Sequence, residues 1–104
     1  MFQLNPNPTF TATVDIPAAG GRIEKLKLTF KHKTRDDTLE YLQRPVVEGE
    51  DDATVLLEII AGWEDVDAEF SREALNQLVQ NYPGAPRAIF QAYAAELTGQ
   101  RRGN

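Results

Sequence analysis

Hydrophobic periodicity changes once along this chain, and that change constrains its fold more than any other feature. From Thr9 to Ile16 apolar and polar residues alternate, with Phe10, Ala12, Val14 and Ile16 on one side and Thr9, Thr11, Thr13 and Asp15 on the other. A period of two, with Thr and Val prominent, is the pattern of a strand with one wet face. Pro17-Ala18-Ala19-Gly20-Gly21 reads as a turn. A second strand is expected over Arg22 to Lys31, with Leu26, Leu28 and Phe30 inward against Lys25, Lys27 and Lys31. Ile23 is out of phase, which predicts a bulge or a late start near Glu24. Two strands joined by a short Gly-rich loop read as a β-hairpin.

From Thr34 onward the spacing is helical. Thr34 caps a first helix, with Asp36 and Asp37 in its electropositive first turn. Leu39, Leu42 and Tyr41 supply its apolar side, and Pro45 ends or bends it. Asp51 or Asp52 starts a second helix with Val55, Leu56, Ile59 and Ile60 buried, closed by Gly62. Ser71 caps a third, with Phe70 placed to staple against Leu75. Its inner stripe is Ala74, Leu75, Leu78, Val79 and Tyr82. After the break Pro83-Gly84-Ala85-Pro86, a fourth helix runs to about Thr98, with Ile89, Tyr93 and Leu97 four apart, Phe90 beside them, and Gly99 as its cap. The expected fold is α+β: an N-terminal β-hairpin followed by a small bundle of about four helices. At 104 residues, one domain over 1–104 with a loose tail at about 100–104 is the simplest organisation.

The chain contains no cysteine. That removes disulfide frameworks, thiolate zinc sites and cysteine nucleophiles together, and fits a reducing cytoplasm. Met1-Phe2-Gln3-Leu4-Asn5-Pro6 has neither the basic nor the apolar region of a signal peptide. The longest apolar run, Val55 to Ala61, is interrupted by Glu58 and too short to span a bilayer. Formal net charge is -5, and between Thr34 and Glu69 the acids face only two bases, Arg35 and Arg44. An acidic middle repels phosphate backbones, so nucleic acid is not the expected ligand.

The candidates for chemistry fail one by one. His32 is the sole histidine, on a lysine-rich strand end, and has no sequence partner for a nucleophilic relay. Asp65-Val66-Asp67-Ala68-Glu69 resembles the start of a calcium loop, but the positions that need Gly and Glu hold Phe70 and Asn76. Glu50-Asp51-Asp52 at a helix start is better explained as a complement to the helix dipole than as a magnesium site. Ala18-Ala19-Gly20-Gly21 lacks the Gly-Lys-Ser/Thr ending of a phosphate loop. The reading is therefore a non-enzymatic binding protein without metal or cofactor. Trp63, the sole tryptophan, falls between two predicted helices in an acidic loop and is the first candidate for a partner contact, because Trp and Tyr dominate interface energetics when desolvated.

The motifs in order carry a resemblance. Asn7-Pro8-Thr9-Phe10 leads into the first strand, and Thr29-Phe30-Lys31-His32-Lys33-Thr34-Arg35 closes the second. Then follow Leu57-Glu58-Ile59-Ile60-Ala61-Gly62-Trp63-Glu64, Asp67-Ala68-Glu69-Phe70-Ser71, Tyr82-Pro83-Gly84-Ala85 and Ala92-Tyr93-Ala94-Ala95-Glu96-Leu97-Thr98-Gly99. Over essentially the whole chain this series resembles the phage tail assembly chaperones of long-tailed phages and prophages. The resemblance implies a non-enzymatic role in virion assembly: binding the tape-measure protein, and in some cases recruiting the tail-tube subunit through a frameshifted longer form. It implies action in the host bacterial cytoplasm and absence from the mature virion. It supplies no catalytic or metal residues. A partner groove is expected beside Trp63, Phe70, Tyr82, Phe90 and Tyr93, where an apolar helix could lie. The open strand edges would also allow pairing with a second copy. The competing readings are a structural tail component (tube, connector or terminator), an acidic inhibitor that mimics DNA and, more distantly, a small hydrolase.

Overall fold

A computed structural model describes residues 1–44 and 51–99. The alternating segment forms β1 (Thr9–Ala18), which pairs antiparallel with β2 (Arg22–Lys31) from Thr9↔Lys31 to Ala18↔Arg22. Gly20 and Gly21 both take left-handed backbone, φ 82° and 78°, and close the hairpin where a side chain would be strained. The bulge expected near Glu24 does not form. The ladder continues unbroken through Pro17↔Ile23, and Ile23 lies exposed on the outer face. A single exposed Ile is cheaper than breaking the pairing.

Helix α1 (Arg35–Gln43) starts at Thr34, whose Oγ1 accepts from Asp37 N at 3.1 Å. Of the three residues expected on its apolar side, only Tyr41 is buried. Thr38 and Tyr41 point into the core, while Leu39 and Leu42 remain 46% and 44% exposed. The Tyr41 hydroxyl donates to the Val55 carbonyl at 2.9 Å, so this ring satisfies a neighbouring backbone group that a leucine could not. The expected break at Pro45 lies outside the described residues.

The second helix is shorter than expected. α2 (Asp52–Leu57) is capped by Asp51 and stops before Ile59. Its predicted last turn is instead strand β3 (Ile60–Glu64), paired antiparallel with the free side of β2. Leu28 faces Trp63 and Phe30 faces Ile60, and the register shift between Thr29 and Phe30 leaves Ala61 as the extra residue. Two consecutive β-branched isoleucines favour this extended path. The hairpin thus belongs to a three-stranded sheet, β1-β2-β3.

Two further helices complete the fold. α3 (Arg72–Asn81) begins at Ser71, which accepts from Ala74 N at 3.0 Å, and α4 (Ala85–Thr98) carries Pro86 in its first turn. Only Leu75 of α3 is fully buried, with Leu78, Val79 and Tyr82 partly covered. Gly84 receives the Pro17 ring, and a Cβ there would stand 3.2 Å from Pro17 Cγ. The architecture is α+β, with an antiparallel sheet and four helices sharing one core built around Val14, Ile16, Leu28, Phe30, Leu56, Ile60, Leu75 and Ile89. The opposite sheet face is polar and carries the ion pairs Lys25–Asp15 at 2.7 Å and Lys27–Glu64 at 3.5 Å.

Candidate partner-binding site

Trp63 lies between α2 and α3 as expected, but on edge strand β3 rather than in a loop. Its partner across the ladder is the buried Leu28, so the indole is on the core-facing side of the sheet, at the rim. Directly after β3 the chain turns through Asp65, whose φ of 57° is left-handed. Among side chains with a Cβ, Asp is one of the few that tolerate this region. The turn brings residues 65–70 back over the indole. Trp63 Nε1 donates to the Ala68 carbonyl at 2.9 Å, and the Phe70 ring meets the indole edge-on, centroids 5.2 Å apart at 84°. Both rings remain half-buried. Phe70 and Leu75 occupy the staple positions around the Ser71 cap.

The surroundings are acidic. Glu64, Asp65, Asp67 and Glu69 are exposed along this turn, and Glu73 opens α3. Lys27 pairs with Glu64, and Arg72 turns toward Asp51 at 3.2 Å. Asp51 belongs to the start of α2: it accepts from Thr54 N at 2.8 Å and from Thr54 Oγ1 at 2.7 Å. These two hydrogen bonds, with Arg72 beside them, hold its carboxyl below the usual carboxylate range.

The five candidate residues form two pairs, with Tyr82 apart from both. Trp63 and Phe70 form the rim pair. Phe90 and Tyr93 lie on α4 and meet Tyr41, at centroid distances of 6.1 and 6.4 Å. Tyr93 is fully buried against Phe10 and Phe30, and its hydroxyl donates to the Lys31 carbonyl at 2.7 Å. Burial pushes the Tyr93 phenol up to about 12. It is a core residue with no surface for a partner in this conformation. Phe90 is half-buried. Tyr82 is half-buried at the C-terminal cap of α3, where its carbonyl accepts from Ala85 N at 2.8 Å. The edge position of Trp63 is not legible in the sequence, where Gly62 reads as a helix end and Trp63 as part of the acidic loop after it; the β-branched pair Ile59-Ile60 is the available signal.

Among the described residues, no three His, Asp or Glu side chains cluster as metal ligands, and no helix is long and apolar enough to cross a membrane. His32 is half-buried, and its backbone N–H donates to Pro8 at 2.8 Å.

The architecture is that of a small α+β protein with a half-covered aromatic pair at the rim of its sheet. The family model for phage tail assembly chaperones matches residues 1–104, the whole chain, and the protein belongs to that family. No curated protein and no solved structure matches it.

Proposed function

We propose that this protein binds the tape-measure protein of a long-tailed phage or prophage and keeps it soluble while the tail tube assembles. In this reading it acts without catalysis as one domain in the host cytoplasm, has the tail-tube subunit as a second candidate partner, and leaves before the virion is finished. The observation that carries the reading is the Trp63–Phe70 pair, half-buried beside a turn with exposed Glu64, Asp65, Asp67 and Glu69, on a chain that matches the chaperone family along its full length.

The physical logic is direct. A long helical protein exposes apolar stripes before the tube encloses it, and such stripes aggregate. Trp63 and Phe70 supply apolar contact, with Tyr82 and Phe90 as further half-buried rings, while the surrounding acids add solubilising charge. Tyr93 holds the scaffold from within.

Co-expression with the tape-measure protein encoded nearby tests this. The expected result is a soluble complex on size-exclusion chromatography, weakened by Trp63→Ala while the variant still melts cooperatively. If the tape-measure protein stays insoluble and unbound, the reading fails. Finding this protein stoichiometrically in purified particles would instead identify a structural tail component.

A further inference from the structure

The two edges of the sheet are treated differently. β3 is five residues long and bulged, two devices that discourage edge pairing. β1 is ten residues long, its ladder with β2 has no irregularity, and no described strand pairs with its outer side. Its only charge is Asp15, and its only proline lies near the end. Such an edge is a template for another strand.

Beside that edge is an open cavity of about 820 Å³, between Thr13–Asp15 of β1 and the small residues Ala88, Ala92 and Ala95 of α4. Small side chains there leave room for larger ones. The same chain carries apolar groups with no place in its own core: Phe2 and Leu4 are 87% and 88% exposed. Their spacing of two puts both on one side of an extended segment, the arrangement by which an added strand seats alternate side chains in pockets.

We propose that this N-terminal arm enters the β1–α4 groove of a second copy, so that two chains exchange arms. Reach keeps Phe2 and Leu4 from the groove of their own chain. Folded back through a turn at Asn5–Pro8, Leu4 would lie opposite Thr9 and Phe2 opposite Thr11, short of Thr13–Asp15. Pro6 and Pro8 also disfavour helical backbone at Asn5 and Asn7. Reciprocal exchange places four apolar side chains and two strand edges in one contact. Two buried Phe at about 150–250 Å² each, together with two Leu, the paired strand edges and the groove surface they cover, bring the contact to the order of the ~1,200 Å² at which stable interfaces begin.

Sedimentation velocity on the full chain, from micromolar to submillimolar concentration, tests the exchange. The expected species has twice the 11.6 kDa chain mass. The double variant Phe2→Asp, Leu4→Asp should return to the monomer mass with unchanged circular dichroism and melting, because both residues lie outside the core. Ala95→Arg should do the same from the groove side. Because the chain lacks cysteine, Leu4→Cys combined with Ala92→Cys should give an intermolecular disulfide that neither single variant gives. A wild-type monomer throughout the range, or a dimer that survives the arm variant, overturns the proposal. A dimer lost in the arm variant but kept in a folded Ala95→Arg variant overturns the groove as the docking site. None of these outcomes depends on the tape-measure protein, whose binding is read separately by co-expression.

Discussion

The Tyr93 hydroxyl donates to the Lys31 carbonyl at 2.7 Å, joining α4 to the end of β2 across 62 residues of sequence. The ring below it packs against Phe10, Phe30 and Tyr41, so one side chain ties the helical layer to the sheet. Tyr93→Phe keeps the ring and leaves the carbonyl without this donor, which should cost about 1–3 kcal/mol. The pH dependence adds a second signature. Burial raises the phenol to about 12 in the folded chain, against about 10 unfolded. The stabilising proton is fully present below pH 10 and is lost as pH rises from 10 to 12. Stability should fall there with a slope of at most ~1.4 kcal/mol per pH unit from this group. Urea titrations across that range should show the fall in the wild type and a shallower one in Tyr93→Phe.

Helix α1 offers a direct test of which face is buried. Leu39 and Leu42 are nearly half exposed, whereas Tyr41 is 7% exposed and bonded to Val55. Leu39→Gln and Leu42→Gln should each change stability by less than about 0.5 kcal/mol. Tyr41→Ala should cost about 3 kcal/mol or more. Chemical denaturation of the three variants decides it, and the reverse order would mean that the helix is rotated about its axis.

These two helices also show where sequence reasoning reached and where it stopped. β1 and β2 were legible because an exposed sheet face enforces strict alternation, and Val14 or Leu28 cannot change sides without moving a whole strand. The caps at Thr34, Asp51 and Ser71 were legible because they depend on bonds three residues away. β3 was not. Val55, Leu56, Ile59 and Ile60 fit a helical face, and what draws Ile60 into a strand is the open side of β2, about thirty residues earlier in the chain. In α1, Leu39–Leu42 and Thr38–Tyr41 are both spaced by three. The choice between them rests on a hydrogen bond to Val55 and on rings from α4, neither of which is local. For the same reason the sequence brought all five aromatics into one site, while the fold divides Trp63 and Phe70 from the Tyr93 group.

Asp51 should behave as an acid-sensitive latch for α2. Its carboxyl is held low mainly by Thr54, with Arg72 of α3 adding attraction. A depressed carboxylate contributes stability above its unfolded value, near 3.8, and that stability is lost as pH falls through the lower folded value. Asp51→Ala should therefore lower the melting temperature at pH 7 and flatten the acid limb below pH 4. Asp51→Asn, which retains an acceptor for the cap, should recover much of the neutral-pH loss but none of the acid dependence. Thermal melts from pH 2 to pH 7 separate the two effects. An acid limb unchanged in both variants would show that another carboxylate governs it.

Asp65 is the residue on which the geometry of the proposed contact site turns. Its φ of 57° lets the chain reverse after β3, so that Ala68 can receive the Trp63 indole N–H and Phe70 can stand edge-on to the ring. Glycine occupies this backbone region without penalty, whereas a β-branched residue does not. Asp65→Gly should thus be neutral or stabilising by up to about 1 kcal/mol, and Asp65→Val should be destabilising by about 1–2 kcal/mol. Trp63 is the only tryptophan, so its emission reports the loop directly. The spectrum should be unchanged in Asp65→Gly and shifted to longer wavelength in Asp65→Val as water reaches the indole. On adding the tape-measure protein, the proposed partner, emission should move to shorter wavelength in the wild type and in Asp65→Gly alike, because the half-covered ring becomes fully covered while the lost carboxylate is one of several. A partner that binds without moving this emission would place the contact elsewhere on the protein, with Trp63 and Phe70 left to brace the turn.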